Sequence, residues 1–207
     1  MRLPIVNKFT CTPKQLPTVI SKLRNKKMIP IIDYVNEDGK NYQNNFIKIK
    51  KSIEEYPMSY FALKLSSLNI RDKKMDREQI KDYTYQLANL SMENASKLII
   101  DAEEVEILQE TNSITDLMMQ EFNKDEVVVY KTYQMYRKDG LSTLKKDLQE
   151  KNYNIGCKLV RGAYYNQDVI TDELFWKIED THRSFNDGMK YFIENKKKKR
   201  FYYLCYS

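Results

Sequence analysis

The 207-residue sequence predicts an α/β fold built on a parallel sheet. Short apolar, β-branched or aromatic runs recur about 30 to 45 residues apart, and the stretches between them carry helical periodicity, the pattern that parallel strands and their crossover helices require. Within the runs, residues 29–32 and 127–130 are apolar at consecutive positions rather than alternate ones, as strands covered on both faces are.

Residues 1–27 read as an N-terminal extension and a helix, with Leu16, Val19, Ile20 and Leu23 on one face, ahead of a first strand at residues 28–35. Phe46, Ile49 and Ile53 mark the next helix, and residues 59–66 the second strand. A helix with Ile80, Tyr83, Leu87 and Leu90 on one face leads to a strand at 97–102, and further strands follow at 126–132 and 155–160. A looser helical period through Leu174, Phe175, Ile178, Phe185, Met189 and Phe192 precedes the last run, residues 200–206.

Periodicity does not separate an open, doubly wound sheet from a closed barrel. The strand ends do: Asp33, Lys64, Asp101, Gln134 and Arg161 stand at the ends of five successive runs, where barrels gather their functional groups. No G-x-G-x-x-G turn follows the first strands, which lowers a dinucleotide-binding reading. The expectation is a (βα)8, TIM-barrel-like fold that is incomplete, with about six βα units, residues 1–207 forming one partial domain.

Composition narrows the function classes. An apolar fraction of 42% with 5 Gly and 5 Pro excludes a disordered chain. The excess of 35 Lys and Arg over 29 Asp and Glu is spread over many helical faces and partly gathered at residues 196–200, without a basic, aromatic-interleaved stripe, so no nucleic-acid partner is expected. Cys11, Cys157 and Cys205 are far apart, odd in number and without metal-ligand spacing, which argues for buried free thiols and a reducing compartment. No run approaches the roughly 20 apolar residues of a membrane span, and residues 1–11 show no signal or transit-peptide pattern. The lone His182 has no partner at catalytic spacing and reads as a surface or packing residue.

The chemistry-bearing segment is Lys158-Leu159-Val160-Arg161-Gly162-Ala163-Tyr164, where a strand ends in two cations, two small residues and an aromatic ring. Small residues let a planar ligand or phosphate approach the backbone, and cations neutralise a pyrophosphate or reduced flavin. An ordinary strand exit with snorkelling Lys and Arg has the same appearance. In Asp101-Ala102-Glu103-Glu104 a paired-carboxylate or metal reading competes with Glu103 and Glu104 starting a helix against its dipole.

That segment resembles the fifth-strand signature of the proline dehydrogenase family, especially its eukaryotic monofunctional branch. Four further blocks are similar, in the family's order: Ile31-Ile32-Asp33-Tyr34 with Glu37, Ala62-Leu63-Lys64-Leu65, Ile100-Asp101-Ala102-Glu103, and Thr132-Tyr133-Gln134-Met135-Tyr136. The resemblance runs from about residue 9 to residue 207 and implies a barrel holding FAD noncovalently. It implies oxidation of L-proline to Δ1-pyrroline-5-carboxylate by hydride transfer to the flavin, with quinone or another electron acceptor taking the electrons. A mitochondrial location and peripheral contact with a membrane are implied with it. By the same resemblance, Gln134 contacts the isoalloxazine ring, Lys158 lies near its N5 edge, and Val160, Gly162, Ala163 and Tyr165 touch the cofactor. Tyr164 helps wall the substrate pocket. Lys64 and Asp101 form an ion pair under the proline, with Lys64 facing its carboxylate; a structural salt bridge lining the barrel is the equal alternative. For Tyr133 and Tyr136 packing is the favoured role.

Relatives continue past the sixth strand to a Tyr-x-x-Arg-Arg helix that clamps the proline carboxylate, and these 207 residues contain no counterpart. The expectation is a truncated or frame-disrupted product, one partner of a split protein, or a fragment of a longer chain. The alternative to an enzyme is a catalytically dead binding or interaction remnant.

Overall fold

The computed structural model describes residues 10–34, 41–72, 76–162 and 173–195, and the backbone of 202–206. After helix α1 (Leu16–Asn25) come six strands: β1 (Ile31–Asp33), β2 (Tyr60–Leu63), β3 (Lys97–Ile100), β4 (Val129–Gln134), β5 (Gly156–Val160) and β6 (Tyr202–Tyr206). Between them lie α2 (Tyr42–Glu55), α3 (Arg77–Glu93), α4 (Val105–Phe122), α5 (Gly140–Glu150) and α6 (Ile178–Asn195). All five strand pairings are parallel and follow chain order, β1-β2-β3-β4-β5-β6.

That order separates the two candidate architectures. A doubly wound sheet reverses direction at a switch point, whereas strands added always on the same side by right-handed crossovers place every helix on one face. The sheet therefore has a helix-covered face and a second face belonging to a barrel lumen. Side-chain burial agrees. Phe61, Leu63, Leu98, Ile100, Val129, Tyr133, Cys157 and Leu159 pack with Ile53, Ile80, Leu87, Ile114, Met118, Leu144 and Phe185 of the helices. The intervening positions Tyr60, Ile99 and Tyr130 form a separate apolar floor with Val127.

The strands are shorter or shifted relative to the sequence expectation, and three of the differences have a clear local reason. The first strand is confined to Ile31–Asp33 because the chain is still turning out of α1: Lys27 has φ 58° and the Met28 amide caps Leu23. The second ends at Leu63 because Leu65–Leu68 form a 3-10 turn. The fourth starts three residues late because the Val128 and Val129 amides donate at 2.9 Å to the side chain of the buried Asn123, whose Nδ2 also reaches the Val129 carbonyl. Leu174 and Phe175, read as helical, precede α6 and instead dock against the exit of β4. Cys157 is buried, as expected, but Cys11 is exposed. His182 lies on the exposed side of α6.

β4 carries polar groups on both faces, and all six of its residues are buried. On the helix side, Lys131 bridges Asp116 of α4 and Asp147 of α5, each at 2.9 Å. Tyr133 donates to Asp147 at 2.9 Å. Burial, and then the Asp147 charge, push its hydroxyl well above the ordinary tyrosine range. Lys151 completes the group at 3.1 Å from Asp116. Among the described residues no helix is long and apolar enough to cross a membrane.

Candidate functional site

The carboxyl ends of β1 to β5 bring together groups far apart in the sequence. Alternation along each strand sends Lys64, Asp101, Thr132, Gln134 and Lys158 to the lumen side, above the Tyr60, Ile99 and Tyr130 floor. Lys64 Nζ contacts both oxygens of Asp33, at 3.1 and 2.9 Å, and lies 3.9 Å from Asp101 Oδ2. Asp101 Oδ1 accepts from Lys158 at 2.7 Å and from Thr132 Oγ1 at 3.2 Å. The result is a chain of alternating charge, Asp33, Lys64, Asp101, Lys158, strung across four strands. The expected Lys64–Asp101 pair is thus the longest link of a larger array, and the short partners are Asp33 for Lys64 and Lys158 for Asp101. The sequence placed Asp33 among the strand-end groups without giving it a partner, and gave Thr132 no role although Thr132 shares the inward parity of Gln134.

Gln134 is held by its amide: Nε2 donates to the backbone carbonyl of Glu103 at 2.8 Å. Its Oε1 is buried and has no hydrogen-bond partner among the described residues. A buried acceptor left unmade costs about 1–3 kcal/mol, so this atom is suited to an N–H that the described residues do not provide.

Glu103 corrects a sequence expectation. α4 begins at Val105, and Glu103 lies before it as a brace rather than in its first turn. Its carboxylate accepts from the Ser66 amide at 3.0 Å and from the Ser66 hydroxyl, and lies 3.4 Å from Arg71, which also holds Glu104 at 2.7 Å. Asp101 and Glu103 therefore point to different partners, and among the described residues no group of three His, Cys, Asp or Glu is placed to hold a metal ion.

Burial raises the Glu103 pKa above 4.5, outweighing the Ser66 bonds and Arg71 that lower it. The sign follows from linkage: between 4.5 and the raised folded value the native state holds a proton that the unfolded state has released, so stability falls as pH rises through that window. Relative to Glu103→Gln, the native chain is expected to lose stability as pH climbs above 4.5 and then level off. Urea unfolding of both proteins from acid to neutral pH measures it, and a difference that moves the other way would sink this account.

β5 divides its signature between the two faces. Lys158 points inward, whereas Arg161 lies over the Phe185 ring of α6, 4.7 Å from its centroid, outside the charge array. This is the snorkelling role that the sequence left open, and it removes Arg161 from the cluster of strand-end groups. Val160 packs with Tyr136 and Leu174, and its carbonyl accepts from the Met135 amide at 2.8 Å. Gly162 has φ 151°, a conformation essentially restricted to glycine. Ala163, Tyr164 and Tyr165 lie outside the described residues, as do Glu37 and residues 196–200.

The sheet order and the charged strand ends define the class, an α/β barrel-type scaffold with its polar groups gathered at the carboxyl end of the sheet. A family model described as proline dehydrogenase matches residues 17–205. This chain belongs to the proline dehydrogenase family. It is 24% identical over 183 residues to "Proline dehydrogenase 1, mitochondrial" of Dictyostelium discoideum, a match covering 79% of this chain and 32% of that protein. It is 37% identical over 110 residues to "Proline dehydrogenase 2, mitochondrial" of Arabidopsis thaliana, covering 47% and 23%. Among solved structures, proline utilization A from Bdellovibrio bacteriovorus inactivated by N-propargylglycine has a TM-score of 0.76 at 17% identity, covering 90% of this chain and 24% of that one. The chain spans about a third or less of the length of the relatives named here.

Proposed function

We propose that this chain supplies the flavin-side half of an FAD-dependent proline dehydrogenase, which oxidises L-proline to Δ1-pyrroline-5-carboxylate in proline catabolism and passes electrons to a quinone or another acceptor. The observation that carries the reading is the buried Gln134 Oε1, without a partner among the described residues, on the same sheet face as Lys158 of the neighbouring strand.

The residues present suit the cofactor. Gln134 Oε1 offers an acceptor to a flavin ring N–H, and Lys158 offers a cation to the negative charge that a reduced ring develops. Gly162, in a backbone conformation closed to other residues, allows close approach, and Val160, Ala163 and Tyr165 complete the contacting set. FAD, when bound, supplies the two-electron chemistry by accepting hydride from the substrate.

Lys64 places positive charge toward the proline carboxylate, since an unpaired carboxylate in a dry pocket costs several kcal/mol. Asp33 and Asp101 hold it from two sides. Tyr164 walls the pocket. The names of the relatives support a mitochondrial setting.

Titration of the purified chain with FAD, followed by flavin fluorescence and absorbance, tests the reading. The native chain is expected to bind, and Lys158→Met to bind about tenfold more weakly, the loss of one charge-assisted contact. Dye reduction on adding proline then reports turnover. A folded protein that leaves FAD free in solution overturns the proposal, and one that binds FAD but ignores proline supports the remnant reading instead.

A further inference from the structure

Gln134 offers an acceptor only while its amide is turned one way. A backbone carbonyl accepts and never donates, so the end of that amide facing the Glu103 carbonyl at 2.8 Å is Nε2, and Oε1 is the atom left over. The orientation of the acceptor therefore depends on where the Glu103 carbonyl stands. β3 ends at Ile100 and α4 begins at Val105, so the Glu103 peptide belongs to neither element. Its side chain supplies the anchor. Glu103 is fully buried, and its carboxylate accepts from the Ser66 amide at 3.0 Å and from the Ser66 hydroxyl, with Arg71 3.4 Å away. Ser66 lies in the buried 3-10 turn Leu65–Leu68 that directly follows β2. One residue thus ties together the exits of β2, β3 and β4.

A buried carboxylate is a poor choice for stability alone, because taking its charge out of water is costly even when it is hydrogen-bonded. Its distinctive effect is geometric. We propose that Glu103 is a positioning residue of the flavin site: clamped by Ser66, it fixes its own carbonyl where Gln134 Nε2 reaches it, and so keeps Gln134 Oε1 available to the cofactor. This role rests on the flavin reading above. With the clamp released, the Gln134 amide samples turned-over states in which the acceptor is withdrawn. Apparent affinity falls in proportion to the fraction of chains that remain competent.

Glu103→Ala, Glu103→Gln and Ser66→Ala test it in the full 207-residue chain. The readout without cofactor is solvent exchange of the Gln134 side-chain amide in nitrogen-resolved NMR, its signal assigned by its loss in Gln134→Leu. Glu103→Ala is expected to speed that exchange and to weaken FAD binding about three- to tenfold, the worth of one neutral hydrogen bond. Glu103→Gln still accepts from the Ser66 amide and donates to its hydroxyl, so both readouts should stay within about twofold of the native chain. In a Gln134→Leu background, Glu103→Ala should leave FAD affinity unchanged, because its effect runs through the Gln134 amide. Should Glu103→Ala fail to fold, Ser66→Ala, which keeps the backbone arm of the clamp, carries the test, with faster exchange and about twofold weaker binding expected. Unaltered exchange in the variant that carries the test overturns the proposal. Equal weakening with and without Gln134 also overturns it, in favour of a purely structural brace. If the native chain binds no FAD, the flavin reading falls first and this inference with it. Native binding with unaltered variants sinks the inference alone.

Discussion

Asp101→Ala is expected to lower the unfolding free energy by about 3 kcal/mol, the low end of the range for stranding a buried charge, because its partners keep some contact with solvent. Asp101 is the only anion between Lys64 and Lys158 among the described contacts, and both lysine side chains are 16% exposed. Removing it leaves two cations facing each other and deprives the Thr132 hydroxyl of one acceptor. Asp101→Asn retains the oxygen that accepts from Lys158 and Thr132, so its effect should be smaller, about 1–2 kcal/mol. The decisive comparison is Asp101→Ala with Lys158→Met. Deleting the stranded cation should recover part of the lost stability, measured by urea unfolding. A double variant weaker than either single one would show that packing, and not charge, governs this corner.

Gly140→Ala should be nearly as severe. A Cβ on Gly140 would lie 2.3 Å from the Gln134 carbonyl oxygen and 3.1 Å from its carbon, a collision with backbone that no rotamer relieves. The Gln134 carbonyl also accepts the Arg137 amide at 3.2 Å, and the next amide, Met135, donates to Val160 across to β5. Moving that peptide therefore disturbs the tight turn into α5, the end of the β4–β5 ladder and the seat of the Gln134 side chain together. A loss of about 3 kcal/mol is expected, the upper part of the range for overpacking. If denaturant unfolding shows a change of less than about 0.5 kcal/mol, as ordinary surface substitutions give, the close approach is not real.

Much of the fold is legible in the sequence because two short-range signals, consecutive apolar runs and helical periodicity, are set by the layers that each segment touches. The barrel-type arrangement is legible in the polar ends of successive strands, since charged groups at that level are tolerated only where several strands converge. Alternation is just as local, and applied from Lys158 it places Arg161 outward, where it meets Phe185. What stays hidden depends on pairings that no local pattern encodes. That Lys64 meets Asp33 follows from β1 and β2 being neighbours. That Glu103 faces Ser66 depends on the 3-10 turn after β2. The Arg137–Glu173 contact spans a connection whose path no periodicity predicts.

The two-faced polarity of β4 bears on how the chain finds its alignment. The apolar positions of a strand, such as Leu98, Ile99 and Ile100 of β3, present hydrocarbon to either layer and by themselves do not oppose a one-residue slide. β4 does oppose it: a slip would carry Lys131 into the lumen and Gln134 among the helices, leaving Asp116, Asp147 and the Glu103 carbonyl without the donors they hold in the native pairing. Each uncompensated buried charge costs several kcal/mol, so misaligned sheets are heavily disfavoured wherever β4 has docked. The strand thereby acts as a key for its neighbours, rejecting wrong alignments before the surrounding apolar strands could commit to them.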